Sequence, residues 1–420
     1  MSIIKKFLQN QFLVNLSRYL FSAGASQAIM MIYTIVVARS LGPEKFGQLS
    51  GSYALTGLTV FLVNLGMDTW MLHDTNCLAE PRRWAGKIIK NKILVGIGWG
   101  SLLTIIAPLI RPDIFTPFLM IVCSVDIWLD SAFSTQLGAL NIQKRFRVIS
   151  KLLFFSRAFR LFGAIIVLTS YRVNATPLAF AFTRSLATGV FFFVAWYLVK
   201  PSLTMKPLLE KSILTKSALF GFSEFLAMIY LQADLTLLSI LAGKHDTGLY
   251  SPASSLVNAL FIIPATVFNM VVPILVRQST TIPQILNKSL QRLSVGFLGL
   301  GILMAFVIFG IGGEVLRLFL GDKFIISSII LKILSPLLIF KSLGFGWAAF
   351  LIAVGWQNRR LVPQAISAVI NVLANLLFIP KYGIVGAALV YVVSEFILSL
   401  GYGALVIQWQ THTKKSLFNS

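Results

Sequence analysis

Arginines inside long apolar stretches are the residues of this sequence most suited to chemistry. Arg157 and Arg160 are three residues apart and therefore share one face of a helix. Arg184 lies near the middle of the following apolar stretch. Charged residues at such positions are costly and indicate a function. Because a guanidinium binds phosphate oxygens two at a time, these arginines predict a site for an anionic ligand.

Carboxylates near these arginines leave two interpretations open. Asp126 and Asp130 are four residues apart on the preceding apolar stretch, and Asp130 lies at a depth similar to that of Arg160. The charges either form buried ion pairs that join helices, or the aspartates adjust a cationic patch that binds substrate. The same choice applies to Lys341 and Glu395, which fall at comparable middle depths.

Two further carboxylates are candidates for ion coupling. Glu224 and Asp234 lie on one later apolar stretch, about 80° apart around a helix. Either carboxylate can carry a proton or bind Na⁺, and a paired structural role is the alternative. The sequence has no nucleophile–base arrangement, no metal-ligand spacing and no phosphate-binding glycine loop. We therefore predict neither an enzyme nor a cofactor.

The stretches that carry these charges are too apolar for a soluble protein. Hydrophobic residues make up 57% of the chain and charged residues 12%, whereas soluble domains contain about 25% charged residues. Several runs exceed the roughly 20 residues that cross a bilayer as a helix. Backbone groups in the bilayer must be satisfied within each helix. We therefore predict an all-α integral membrane protein.

The pattern of apolar runs predicts twelve transmembrane helices in two parallel six-helix bundles. The first bundle covers residues 1–200, a cytoplasmic linker covers 201–216, and the second bundle covers 217–420. The expected spans are 13–38, 46–70, 93–110, 115–140, 151–170, 174–199, 216–242, 247–276, 293–311, 325–353, 361–380 and 383–409.

The distribution of basic residues predicts the orientation in the membrane. The formal net charge is +22, but the basic residues lie mostly between the apolar runs, so membrane topology explains them better than nucleic acid does. The alternate loops that include the amino terminus carry about three times as many Lys and Arg residues as the other loops, and Lys92 is one of those counted. We therefore expect both termini in the cytoplasm.

A short glycine-bounded turn recurs in the two halves. Gly42, Gly47 and Ser50 follow the first apolar run, and Gly243, Gly248 and Ser251 repeat their spacing in the second half. The repeat favours two similar halves, each with a tight outward turn between its first two helices.

Four stretches resemble bacterial polysaccharide flippases of the Wzx type, which belong to the multidrug, oligosaccharidyl-lipid and polysaccharide (MOP) exporter superfamily. ARSLGPEKFG at 38–47 resembles the turn after that family's first span, and NLGMD at 64–68 is similar to the end of its second. ADLTLLSILAG at 233–243, followed by TGLYSPA at 247–253, resembles its spans 7 and 8. Residues 371–388, with IPKYGIVGAA at 379–388, resemble its turn between spans 11 and 12.

The resemblance implies a MATE-like, V-shaped fold with spans 1, 2, 7 and 8 around a central cavity. The implied substrate is an oligosaccharide on an undecaprenyl diphosphate carrier, moved outward across the bacterial cytoplasmic membrane by alternating access. Coupling to H⁺ or Na⁺, contact with membrane lipids, and polymerase or assembly proteins as partners are also implied. Arg18 and Arg39 become added candidates for binding the diphosphate, whereas Arg157, Arg160 and Lys341 lie outside that family's principal cavity walls.

Two other functions are consistent with the sequence. A cation-coupled multidrug exporter of the same superfamily would need an acidic cavity, whereas here the intramembrane cations match the anions in number. A non-transporting membrane scaffold of a polysaccharide assembly complex would translocate no lipid-linked glycan.

Overall fold

The computed structural model of the chain describes the backbone of residues 2–171, 174–202, 211–281 and 283–418. It describes the side chains of residues 24–170, 174–202, 213–278 (apart from 219, 223 and 230) and 288–411. The described residues are helical almost throughout and contain no strand. This confirms the predicted all-α fold. Arg18 lies in a helix, but its side chain is outside the described residues.

The helices follow the predicted apolar runs closely. The first half contains α1 (Ser2–Thr59), α2 (Phe61–Asn64), α3 (Met67–Met71), α4 (Thr75–Ala79), α5 (Pro81–Ile110), α6 (Pro117–Ile142), α7 (Phe146–Tyr171) and α8 (Pro177–Val199). The second half contains α9 (Lys211–Leu241), α10 (Lys244–Leu260), α11 (Ile262–Thr281), α12 (Pro283–Val307), α13 (Gly313–Leu320), α14 (Ile325–Leu334), α15 (Leu337–Ala353) and α16 (Leu361–Phe418).

The chain is a multi-pass membrane protein. Among the described residues, 8 helical stretches are long and apolar enough to cross a membrane, or 10 if each of two bent pairs is one span. Two of the stretches are 41 and 55 residues long, about twice what one crossing needs. Each contains a glycine with non-helical dihedral angles, Gly42 (φ 71, ψ 173) and Gly383 (φ 54, ψ −133). If both bent pairs are counted as spans and both long stretches are divided at these glycines, the described residues give the predicted twelve crossings.

The first predicted turn is shorter than the sequence suggests. Residues 39–50 are helical on both sides of Gly42, so the expected polar loop is a break at a single residue. Pro43 follows the break directly. Proline is well suited to the start of a helix because its fixed φ is helical and it lacks an N–H that would need a partner.

The chain folds into two compact units, which we call the first and the second unit. The first unit contains residues 32–252 and 375–384, and the second contains residues 1–31, 253–374 and 385–420. Within the first unit α6 packs against α5 and α8, and α7 packs against α8. Within the second unit α15 packs against α11 and α12. The predicted bundle limits at 200 and 217 stay a prediction, and residues 203–210 of the linker lie outside the described residues.

The two repeated turns meet in the first unit. A Cβ atom at Gly47 would lie 1.7 Å from the carbonyl oxygen of Lys244, and one at Gly248 would lie 1.8 Å from the carbonyl oxygen of Pro43. The two backbones are therefore in direct contact, at a distance that only glycine permits. Residues that the sequence relates only by their spacing are neighbours in the fold.

Candidate functional site

Three helices of the first unit bring arginines and aspartates into one group of ion pairs and hydrogen bonds, the arginine network. Arg184 Nε on α8 lies 2.9 Å from Oδ2 of the fully buried Asp126 on α6, as an ion pair. On α7, Arg160 Nη2 lies 2.5 Å from Asp130 Oδ1 and donates to Thr188 Oγ1 at 2.9 Å. Thr188 Oγ1 in turn donates to Asp126 Oδ1 at 2.5 Å. The two ion pairs are thus joined through one threonine.

Helical spacing explains how the network assembles. Asp126 and Asp130 are one turn apart on α6, and Arg184 and Thr188 are one turn apart on α8, so each pair shares a face. The Asp130–Arg160 pair is one of the two interpretations that the sequence leaves open. The sequence does not indicate the pairing of Arg184 with Asp126 or the part of Thr188. The four-residue spacing of Arg184 and Thr188 is the signal that could have identified the threonine.

The guanidinium of Arg184 also contacts an aromatic ring of α1. Its Cζ lies 3.9 Å from the centroid of the Tyr53 ring, a cation–π contact. The hydroxyl of Tyr33, also on α1, is buried and hydrogen-bonds to none of the described residues. An unsatisfied buried hydroxyl costs about 1–3 kcal/mol unless a ligand or water meets it. A donor of this kind near a guanidinium suits an anion.

The arginine network carries one positive charge in excess. Arg157 lies one turn before Arg160 on α7, is partly buried, and interacts electrostatically with Arg160 and Asp130. Three arginines therefore stand against two aspartates. The side chain of Arg184 is 19% exposed, although its Nε is buried against Asp126.

A buried lysine organises a second group in the same unit, the carboxylate network. Lys92 Nζ donates to Asp68 Oδ2 at 2.8 Å and to the Ser131 carbonyl oxygen at 3.0 Å. Thr135 Oγ1 donates to Asp68 Oδ1 at 2.6 Å. The lysine side chain is fully buried, whereas that of Asp68 is 21% exposed.

The assignment of Lys92 to a loop is wrong. Helix α5 begins at Pro81 rather than near residue 93, so Lys92 lies three turns inside it. The first turns of α5 are rich in basic residues, and hydropathy alone therefore places the start of the helix too late. The basic residue counted for membrane orientation is in fact the centre of a buried site.

A break in the second crossing connects this group to Glu224. Helices α2 and α3 are separated by Leu65 and Gly66, which both have left-handed backbone angles (φ 44 and 69). On one side of the break Asn64 Nδ2 donates to Glu224 Oε1 at 2.6 Å, and the Ser131 hydroxyl donates to Asn64 Oδ1.

Close packing fixes the position of the break. A Cβ atom at Gly66 would lie 2.2 Å from the backbone nitrogen of Gly221, one turn before Glu224 on α9. The carboxylate network therefore holds Asp68 and Glu224 against one lysine. Ionised, it carries one negative charge in excess, so it can take up a proton or a monovalent cation.

The remaining predicted carboxylates are also partnered. Asn375 Nδ2 donates to Asp234 Oδ1 at 2.6 Å within the first unit, and both residues are buried. In the second unit Lys341 Nζ lies 3.0 Å from Glu395 Oε2 and 5.3 Å from the centroid of the Phe261 ring. Lys341 and Glu395 thus pair, as one interpretation of the sequence expects.

Arg39 and the two cysteines lie in different surroundings. Arg39 is exposed, one turn before Gly42 on α1. Cys77 and Cys123 are buried free thiols, and burial raises the pKa of Cys77 to about 12. A thiol that stays protonated at neutral pH is a poor nucleophile. In the described part of the chain, no group of three His, Cys, Asp or Glu residues could hold a metal ion.

Known proteins share both the sequence pattern and the fold. The family described as "Polysaccharide biosynthesis protein" matches residues 12–279. The capsular polysaccharide biosynthesis protein CapF of Staphylococcus aureus is 27% identical over 194 residues, which are 46% of this chain and 49% of that protein. The chain therefore matches about half the length of this curated relative.

Two kinds of solved structure share the architecture. The lipid II flippase MurJ in an inward closed conformation has a TM-score of 0.73 at 16% identity, over 92% of this chain and 87% of that one. An inward-facing multidrug resistance MATE transporter of the MOP superfamily has a TM-score of 0.65 at 12% identity, over 96% of both chains. At such identities the likeness establishes the fold alone.

The resemblance found in the sequence is thus confirmed at the level of family and fold. The match at 12–279 spans well over half of the chain, and the solved structures that share its fold include members of the superfamily that the sequence indicated. This protein belongs to the polysaccharide biosynthesis protein family.

Proposed function

We propose that the chain is a flippase in a bacterial cytoplasmic membrane. It would move oligosaccharide repeat units linked to undecaprenyl diphosphate outward by alternating access, for polysaccharide synthesis. Family membership and the fold shared with MurJ and MATE transporters support transport rather than catalysis. In this proposal both termini are cytoplasmic, and membrane lipids and the proteins of polysaccharide assembly are partners.

The observation that carries the proposal is the positive excess of the arginine network inside the bilayer. A charge at this depth is costly unless a ligand or counter-ion compensates it. Asp126 and Asp130 compensate two of the three arginines. A diphosphate would supply the remaining negative charge, and the partly exposed side chain of Arg184 would contact it.

Glu224 and Asp234 are the proposed sites of coupling to H⁺ or Na⁺. Each carboxylate accepts a hydrogen bond from an asparagine amide, Asn64 in one case and Asn375 in the other. An amide donor stabilises a carboxylate without neutralising its charge, so a cation can still be bound there. Loading and release of this cation would alternate with movement of the anionic substrate.

Purified protein in vesicles that contain a lipid-linked oligosaccharide tests the anion site. Arg184→Gln and Arg157→Gln should each reduce the translocation rate by about tenfold or more, because a charge-assisted hydrogen bond contributes about 1.5–3 kcal/mol. Arg317→Gln, at an exposed ion pair with Asp322, is the control and should translocate normally. Unchanged translocation in both test variants would refute the anion site.

A multidrug exporter is the second candidate, because the fold is shared with MATE transporters and the carboxylate network has a negative excess. The same vesicles distinguish the two functions. A flippase translocates the glycan lipid and is insensitive to cationic drugs, whereas an exporter accumulates the drugs. Failure of the wild type to translocate any of several glycan lipids or drugs would favour a scaffold.

A further inference from the structure

A groove lined mainly by phenylalanines runs along the outside of α7 and α8. It has a volume of about 460 Å³, and Phe155, Phe159 and Phe162 are exposed in it. Phe159 contacts Phe191 of α8 edge to face at 6.1 Å between ring centroids. The lining residues, which we call the phenylalanine groove, are Lys151, Leu152, Phe155, Ala158, Phe159, Phe162, Phe191 and Val194.

The dimensions of the groove suit one hydrocarbon chain. Lys151 and Phe162 are eleven residues apart on α7, which is about 16 Å along a helix axis. This is roughly half of the 30 Å hydrocarbon thickness of a bilayer. A volume of about 460 Å³ along that length can hold a segment of one hydrocarbon chain against the phenylalanine rings.

One end of the groove is cationic. Lys151 lines this end, and Arg147 lies one turn earlier on the same face of α7. Both side chains are exposed, and neither belongs to an ion pair between described residues. The surface therefore combines two positive charges with the apolar phenylalanine groove. This combination matches a lipid that has an anionic head and one tail.

The groove and the arginine network use different faces of α7. Arg157 and Arg160 lie on the side of α7 that faces Asp130 and Thr188, whereas the groove residues face outward. A lipid in the groove would therefore stay in the bilayer while its head remained close to the helix that presents the arginines.

We propose that the phenylalanine groove binds a polyprenyl phosphate lipid. The isoprenoid chain lies along Phe155, Phe159 and Phe162, and the phosphate next to the chain contacts Lys151 and Arg147. A phospholipid has two chains, and only one of them could lie along the phenylalanines. The choice of a polyprenyl lipid rests on the proposed function, since that function requires a substrate carried on such a chain.

Binding of undecaprenyl phosphate to the purified full-length chain, counted by native mass spectrometry, tests the groove. Undecaprenol, with the same chain and no phosphate, and dioleoyl phosphatidate, with a phosphate and two acyl chains, are the comparison lipids. Undecaprenyl phosphate should bind at least about tenfold more tightly than either, because only it meets both requirements.

Two double variants separate the head from the chain. Arg147→Gln with Lys151→Gln should weaken binding of undecaprenyl phosphate by about thirtyfold, since each basic residue near an anionic lipid head contributes about fivefold. Phe155→Ala with Phe162→Ala should weaken the binding of undecaprenyl phosphate and the binding of undecaprenol by the same factor, because the two lipids share the same chain. Phe118→Ala with Phe306→Ala removes two exposed phenylalanines elsewhere and should change nothing.

Two results would overturn the proposal that the groove binds a polyprenyl phosphate. One is equal binding of dioleoyl phosphatidate and undecaprenyl phosphate, which would mean that any anionic lipid occupies it. The other is unchanged binding in the phenylalanine double variant. A wild type that binds undecaprenyl phosphate through the groove yet translocates no glycan lipid would refute the flippase function alone. Translocation together with either of the two results above would refute the groove alone.

Discussion

The arginine network and the carboxylate network of the first unit are opposite in charge but similar in design. Both use α6, with Asp126 in the first and Ser131 in the second about 140° apart around the helix. In each network the most deeply buried charge has the minority sign, although the second aspartate of the arginine network, Asp130, is half exposed. Asp126 is fully buried among arginines, and Lys92 is fully buried among carboxylates.

This difference in burial distinguishes charges that stabilise a network from charges that can contact a ligand. A fully buried charge cannot reach a ligand and instead compensates its neighbours. The majority charges keep partial exposure, with Arg184 19% exposed and Asp68 21%. We infer that the fully buried minority charge, Asp126 or Lys92, fixes each network and that the majority charges meet the anion or the cation.

Removing the buried aspartate should have the largest effect. Asp126→Ala leaves Arg184 and Thr188 without their carboxylate, and an uncompensated buried charge costs about 3–5 kcal/mol. Thermal unfolding in detergent would show this as a large fall in Tm. Asp130→Ala should cost less, about 1–3 kcal/mol, because Asp130 is half exposed and the buried Arg160 keeps its bond to Thr188. Equal losses in the two variants would contradict the inferred roles.

Removing the buried lysine should have the next largest effect. Lys92→Met leaves Asp68 without its cation, although the bond from Thr135 and partial exposure remain, so we expect a loss of about 2 kcal/mol. Lys92→Met combined with Asp68→Leu should recover most of it, since no charge is then left unpaired. If the double variant is less stable than Lys92→Met, Lys92 does more than compensate charge.

Changing a majority carboxylate should alter function more than stability. Glu224→Gln keeps an oxygen that can accept from Asn64, so stability should change by less than about 1 kcal/mol. Translocation in vesicles should lose its dependence on an imposed H⁺ or Na⁺ gradient. Glu314→Gln, at an exposed position of α13, should keep the full dependence. Persistence of that dependence in Glu224→Gln would remove this residue from coupling.

The smallest expected effect tests the sign of the arginine network. Asp130→Asn removes a half-exposed negative charge, so stability should change by less than about 1 kcal/mol. The excess positive charge rises from one to two, and the glycan lipid should bind a few times more tightly. A saturation curve of initial translocation rate against glycan lipid would show this. Weaker binding would mean that the substrate does not meet these arginines.

The crossings were predictable from the sequence because the bilayer imposes a length and an apolar composition on each helix. Pairing between helices was harder, because it depends on rotation about each axis, which composition leaves open. Arg160 with Asp130, and Lys341 with Glu395, were among the open interpretations because they are charged residues at similar depths. Arg184 with Asp126 depends on how α6 and α8 turn towards each other.

Neutral polar residues and helix starts account for the rest. Asn64, Thr135 and Thr188 complete both networks, but one amide or hydroxyl in an apolar run gives no charge signal. Lys92 was misplaced because basic residues in the first turns of α5 resemble a loop. The break at Leu65 and Gly66 brings Asn64 and Asp68 to one site. A single glycine in the sequence is not enough to predict this break.

Gly42 determines the direction in which each later helix crosses the membrane. Uninterrupted, the 58 residues of α1 would make a rod of about 87 Å, nearly three bilayer cores long. Such a rod would cross once instead of twice, and each later helix would then insert upside down. A glycine thus determines whether the number of crossings before each later helix is odd or even. Restoring a regular helix there would put every later loop on the opposite side of the membrane.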